Sequence, residues 1–154
     1  MALYHVSRGT SVARHLQELY RRHGYYREAL VSKYFEGESG LAAMKRLMER
    51  LRTRPPSTMA GSDVVCVRDY LSGQALSLPD GVATRIEGFP PSNVLQFILK
   101  NGSIITARPS GTEPKVKFYA SCRSEPGLAV QKAREIVDRM VDQITGELNR
   151  LASA

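Results

Sequence analysis

Val94 to Lys100 and Ser103 to Arg108 are two β-rich runs separated by Asn101-Gly102, and no other part of the chain restricts the fold so tightly. Asn-Gly between apolar, β-branched runs is the strongest short-range signal for a β-hairpin. A two-residue turn would set Leu99 opposite Ile104 and Ile98 opposite Ile105, leaving the hairpin apolar on both sides near its tip. The hairpin then delivers Arg108 to a loop, and beyond the loop the chain alternates again. Val116, Phe118 and Ala120 fall on one face of this next strand, with Lys115, Lys117 and Tyr119 on the other.

The loop between these strands is rich in hydrogen-bond donors. Residues 107 to 119 read Ala-Arg-Pro-Ser-Gly-Thr-Glu-Pro-Lys-Val-Lys-Phe-Tyr. They offer the Arg108 guanidinium, the hydroxyls of Ser110 and Thr112 and two ammonium groups, all able to donate to an anionic oxygen. Gly111 would let backbone N–H groups converge as an anion-binding nest. An ordinary polar turn would account for Pro109, Gly111 and Pro114, and a lysine pair on an exposed strand face is commonly just solvated. Neither explains why Arg108, Ser110, Thr112 and Lys117 stand together.

These residues carry a resemblance. "RPSGTEPKVKFY" resembles the phosphate-binding loop in the last domain of the α-D-phosphohexomutases, which include phosphoglucomutase and phosphomannomutase. "LQELYRRHGYYREALVS", "VRDYLSG", "SNVLQFILKNGS" and the C-terminal helix follow in the order and approximate spacing of the bacterial phosphoglucomutase type, so the likeness covers nearly the whole chain. It implies that Arg108, Ser110, Gly111 and Thr112 grip the non-reacting phosphate of a hexose phosphate. Lys117 would stand where related enzymes carry a second basic ligand, and Lys115 is a further candidate. It also implies a last domain similar to the TATA-binding-protein fold, partnered by the other domains of a mutase.

The family's phosphoserine and aspartate-rich magnesium loops lie on earlier domains, and neither pattern occurs here. The resemblance therefore places the phosphoserine and the magnesium outside this chain, which is expected to have no catalytic residue, no metal ligand, no cofactor and no mutase activity of its own. The family's sugar-recognition loop is approached only by Glu36-Gly37-Glu38-Ser39-Gly40, which lacks one residue of the pattern. A structural role suits it better, with Ser39 as N-cap of the next helix and Glu36 and Glu38 near the positive end of its dipole.

A first helix is expected from Ser11 to His23, with Val12, Leu16, Leu19 and Tyr20 on one stripe and Gly24 ending it. By the resemblance, residues 1–29 are the terminal helix fragment of the preceding domain, its stripe deprived of its partner, and residues 30–154 are the C-terminal phosphate-binding domain. An extended segment from Tyr25 to Phe35 comes next. A helix over Leu41 to Arg52 is stopped by Pro55-Pro56, and a strand follows at Asp63 to Arg68. The turn-rich stretch from Asp69 to Asn93 holds at most a short strand near Val82 to Ile86. The last helix is expected from Glu125 to Leu151. The order β-α-β-β-β-α predicts an α+β fold, a mainly antiparallel sheet of about four to five strands with helices on one face.

The 154 residues, 42% of them hydrophobic, suffice for one domain with a real core but not for a four-domain mutase. No apolar run could span a bilayer, and the N-terminus has no signal-like h-region, so the cytosol is the expected compartment, with no membrane partner. Cys66 and Cys122 are read as reduced structural thiols, and His5, His15 and His23 as surface or packing residues. A net charge of +7 raises nucleic-acid binding. Against it, Arg14, Arg21, Arg22, Lys45, Arg46, Arg50, Arg52 and Arg54 are scattered among Glu18 and Glu49 on helices, without an RNA-binding strand pattern or zinc-finger spacing. A free-standing phospho-ligand-binding or interaction module is the other reading that the residues leave open.

Overall fold

The computed structural model describes residue 9, residues 11–37 and residues 39–151. His5, Glu38 and most of the N-terminal segment read above lie outside them. Helix α1 spans Val12–His23, one residue shorter than expected; Ser11 caps it, its Oγ accepting from Arg14 N–H at 3.2 Å. Gly24 ends it with φ at 92°, and a Cβ there would lie 2.4 Å from the carbonyl oxygen of Ser124. None of its residues is buried.

Strand β1, Tyr26–Tyr34, pairs along its whole length with a later strand, so the boundary expected between residues 29 and 30 falls inside it. Helix α2, Gly40–Thr53, buries Met44, Leu47, Met48 and Leu51, which recur at helical spacing, while Leu41 stays exposed. Ser39 occupies the cap position but is not the cap foreseen. Its φ and ψ of −82° and −5° are helical, so its hydroxyl is not aimed at the free N–H groups and makes no capping bond. Gly40 N–H donates to Gly37 instead.

The remaining strands are β2 (Thr58–Met59), β3 (Ser62–Asp69), β4 (Gln74–Ser77), β5 (Ala83–Arg85), β6 (Leu95–Leu99), β7 (Ile104–Pro109) and β8 (Lys115–Arg123). Helix α3 closes the chain at Val130–Leu151. It starts five residues later than expected, because Pro126 and Gly127, with φ at 85°, hold the chain in a turn first. The sheet runs β1-β8-β7-β6-β3-β4-β5, with β2 paired only to β3, and every pairing is antiparallel.

The fold is α+β as expected, with eight strands rather than four to five. β5 is the short strand expected near Val82 to Ile86; the unforeseen strands β2 and β4 have two and four residues, and β4 buries none of them. Two residues are too few to show a period, and a strand that buries nothing leaves no apolar alternation to read.

Phe97, Leu95, Leu99, Ile105, Ala107, Val116, Phe118 and Ala120 point to one face of the sheet and pack against α2 and α3, whose Leu51, Val137, Ile144 and Leu148 are almost fully buried. The β6–β7 register is one residue away from the one expected. Phe97 pairs with Ile105 and Ile98 with Ile104. Leu99 N–H donates to Ser103 and Gly102 N–H to Leu99, a three-residue turn with Gly102 at φ 81°. This register puts Phe97, Leu99 and Ile105 together on the core face; the alternative would have split them. The opposite face carries Gln96, Thr106, Arg108, Lys117 and Tyr119, and among the described residues its two hollows are lined by no helix residue.

Candidate functional site

Strand β7 ends at Pro109 and β8 begins at Lys115, so residues 110–114 form a tight loop at one end of the open face. Ser110 N–H donates to the Lys115 carbonyl at 2.7 Å, and Lys115 N–H to the Glu113 carbonyl at 2.8 Å. Thr112 N–H reaches Ser110 Oγ at 3.4 Å. Below the loop the ladder sets Arg108 directly opposite Lys117, both on the open face.

A pocket of about 250 Å³ lies here, lined by Arg108, Pro109, Ser110, Gly111, Glu113, Lys115, Lys117 and Tyr119. The structure thus brings together every candidate read from the sequence except Thr112, which belongs to the loop but not to the pocket lining. Gly111 does not adopt the left-handed conformation that a nest built on it would use, and a Cβ there would meet nothing within 4 Å. The loop's path does not require the glycine; its missing side chain leaves open space at the mouth of the pocket.

Lys115 differs from the exposed residue expected. It is only 9% exposed, and its Nζ lies 2.5 Å from Glu113 Oε2, 3.5 Å from the Tyr34 hydroxyl and 4.9 Å from the centre of the Tyr34 ring. Glu113 holds the Lys115 ammonium above its usual pKa range, and Lys115, with a smaller contribution from Lys117, holds the Glu113 carboxyl below its own. Glu113 and Tyr34 are not among the residues expected at the site. Glu113 was signalled by its two-residue spacing from Lys115 across Pro114; Tyr34 was not, being 81 residues away in the chain. Neither Arg108 nor Lys117 forms a salt bridge with an acidic side chain among the described residues.

Three larger hollows, one of them about 360 Å³ beside Glu147 and Arg150, lack this concentration of positive charge. One of about 450 Å³ lies beside Tyr70 and Phe89 and is lined by one charged residue, Arg85. Another of about 430 Å³ lies on the open face and meets the loop pocket at Tyr119. Among the described residues no cluster of His, Cys, Asp or Glu could hold a metal ion, and no helix is long and apolar enough to cross a membrane.

Residues 67–142, which include the hairpin, the loop and both strands bearing the pocket, match the family model of the phosphoglucomutase/phosphomannomutase C-terminal domain. The chain belongs to that family, as its C-terminal domain. It is similar to the phosphoglucomutase of Staphylococcus haemolyticus (strain JCSC1435), with 41% identity over 106 residues, covering 69% of this chain and 19% of that one. It is also similar to the phosphoglucomutase of Staphylococcus saprophyticus, with 32% identity over 110 residues, covering 71% of this chain and 20% of that one. The chain therefore spans about a fifth of the length of these curated relatives. Among solved structures it is similar to the open form of pp63/parafusin from Paramecium, with a TM-score of 0.48 and 15% identity over 92% of this chain and 25% of that one.

Proposed function

We propose that this domain holds the phosphate group of a hexose phosphate within a phosphoglucomutase or phosphomannomutase, through Arg108, Ser110, Gly111, Thr112 and Lys117. The observation that carries this reading is the direct pairing of Arg108 with Lys117 on an open sheet face, beneath a loop whose Ser110 and Gly111 line the same small pocket. Two like charges set opposite each other on neighbouring strands repel, and an anion between them turns that repulsion into two charge-assisted hydrogen bonds. Lys115, already engaged by Glu113 and Tyr34, adds positive charge to the pocket wall rather than a free donor.

In such an enzyme phosphate passes from a phosphoserine to the sugar, the bisphosphorylated intermediate reorients, and the other phosphate returns to the serine. The phosphoserine and its magnesium belong to the remaining domains. The contribution of this domain is positioning: gripping one phosphate fixes where the other lies, and binding energy from a remote group lowers the barrier at the reacting one. A grip on phosphate alone suits a substrate that must bind in two orientations. Helix α1 is the end of the preceding domain, the phosphate-binding domain takes up the rest of the chain from strand β1, and the compartment is the cytoplasm.

The test is an NMR titration of the chain with glucose 1-phosphate. The amides of residues 108–117 are expected to shift; shifts confined elsewhere would reject the reading. In the full-length parent, Arg108→Ala is expected to impair substrate binding, by removing a contact of about 1.5–3 kcal/mol. The chain alone is expected not to isomerise glucose 1-phosphate, and conversion by pure protein above host background would overturn that expectation.

A further inference from the structure

The loop supplies its pocket with a carboxylate as well as cations. Arg108, Lys115 and Lys117 line the pocket, and Glu113 lines it with them. Glu113 is half exposed, with 53% of its side chain accessible, so burial does not hold it there. Its partner Lys115 does, from 2.5 Å, while Tyr34 fixes Lys115 from behind. An ionised carboxylate can only accept hydrogen bonds, so it cannot be a ligand to the oxygens of a phosphate dianion. In this pocket it can act on such an anion only by repelling it or by neutralising a cation.

We propose that Glu113 is the pocket's built-in counter-anion, a specificity-determining residue that cancels one of three positive charges and matches the site to a doubly charged phosphate monoester. This rests on the phosphate-binding reading above and adds how that grip is tuned. Coulomb energy scales with the product of the charges, so each uncancelled cation strengthens the hold on a dianion twice as much as on a monoanion. Three uncancelled cations would make a tighter and less easily released site than two. A domain that must take up and let go of phosphate in two substrate orientations is served by the weaker one. The remaining charges, Arg108 and Lys117, are the two that face each other across the ladder with no acidic salt-bridge partner among the described residues.

The experiment titrates the 154-residue chain and its Glu113→Gln, Glu113→Asp and Arg108→Gln variants with glucose 1-phosphate over a salt series. Glu113→Gln is expected to bind on the order of tenfold tighter with a steeper salt dependence, and Glu113→Asp, which keeps the charge on a shorter arm, to follow the wild type. Equal or weaker binding by Glu113→Gln overturns the proposal, because Glu113 would then be holding the loop in shape. So does an equal change in the Gln and Asp variants. If the wild type does not bind and Arg108→Gln changes nothing, the phosphate-binding reading itself fails and takes this inference with it. Wild-type binding that is lost in Arg108→Gln upholds that reading, and the two Glu113 variants then decide the role of the carboxylate by themselves.

Discussion

Arg108 and Lys117 are register partners on β7 and β8, two cations facing each other on the open side of the sheet. An arrangement that costs folding energy is not what a sheet needs for its own sake. The same strands solve their other pairing problems without strain: Phe118 sits opposite Ala107 and Ala120 opposite Ile105, all in the core. The phosphate grip proposed above would give this pair a use that the fold does not.

Removing one charge of this pair is expected to separate stability from binding. Lys117→Gln should leave the free protein as stable as the wild type or more so, by about 0.2–1 kcal/mol. It should also weaken glucose 1-phosphate binding. Denaturant melts and titrations on the same samples check both halves. A clear loss of stability would show that Lys117 serves the fold instead. For the wild type, ligand at about 100 times its Kd should add roughly 2.7 kcal/mol of stability, and Lys117→Gln should need more ligand to reach that gain.

Two glycines near the site should respond oppositely to alanine. Gly111 has ordinary backbone angles and free space around it, so Gly111→Ala should keep stability within about 0.5 kcal/mol while weakening binding. Gly102 lies at φ 81° in the β6–β7 turn, where a Cβ would come within 2.6 Å of Arg123 Nε. Gly102→Ala should cost at least about 1–2 kcal/mol. Equal effects on stability would refute the distinction.

The part of the site that follows from local pattern was legible in the sequence. Val116, Phe118 and Ala120 are buried on one face as their spacing demanded, and Arg108, Ser110 and Lys117 meet because only a short loop separates their strands. The Asn101-Gly102 signal gave the hairpin but not its register. A turn dipeptide does not by itself distinguish two turn residues from three, and the choice here follows from which residues the helices cover. The burial of Lys115 depends on Tyr34, brought alongside by the β1–β8 pairing, and no local pattern encodes a contact across 81 residues.

Cys122 is fully buried in β8, and desolvation pushes its thiol up from 9.0 to about 11. Between these values the unfolded chain loses the proton while the folded chain keeps it, so this thiol's contribution makes stability fall as pH rises from about 9 to 11; below 9 it has no effect. Cys122→Ala should remove that share of the alkaline loss. In the native protein at neutral pH, iodoacetamide should label the half-buried Cys66 first and reach Cys122 only on unfolding. Labelling of Cys122 at the same rate as Cys66 would contradict its burial.

Helix α1 leaves Val12, Leu16 and Leu19 exposed to 48%, 43% and 37%, aligned along one side of a helix that buries nothing. It is held by its Ser11 cap, by the edge-to-face contact of Tyr20 with Tyr25, and by Gly127 N–H donating to the Arg21 carbonyl at 2.7 Å. None of these contacts uses Val12, Leu16 or Leu19, so polar residues at Leu16 and Leu19 should not unfold the helix. The stripe is instead surface that gains by being covered, at roughly 25 cal/mol for each Å² removed from water. Self-association that grows with concentration is therefore expected in sedimentation velocity. Leu16→Glu combined with Leu19→Gln should abolish it with stability held within about 0.5 kcal/mol for each change. A wild-type chain that stays monomeric at high concentration would overturn the expectation. A large stability loss in the double variant would instead show that α1 is tied to the domain through its apolar side.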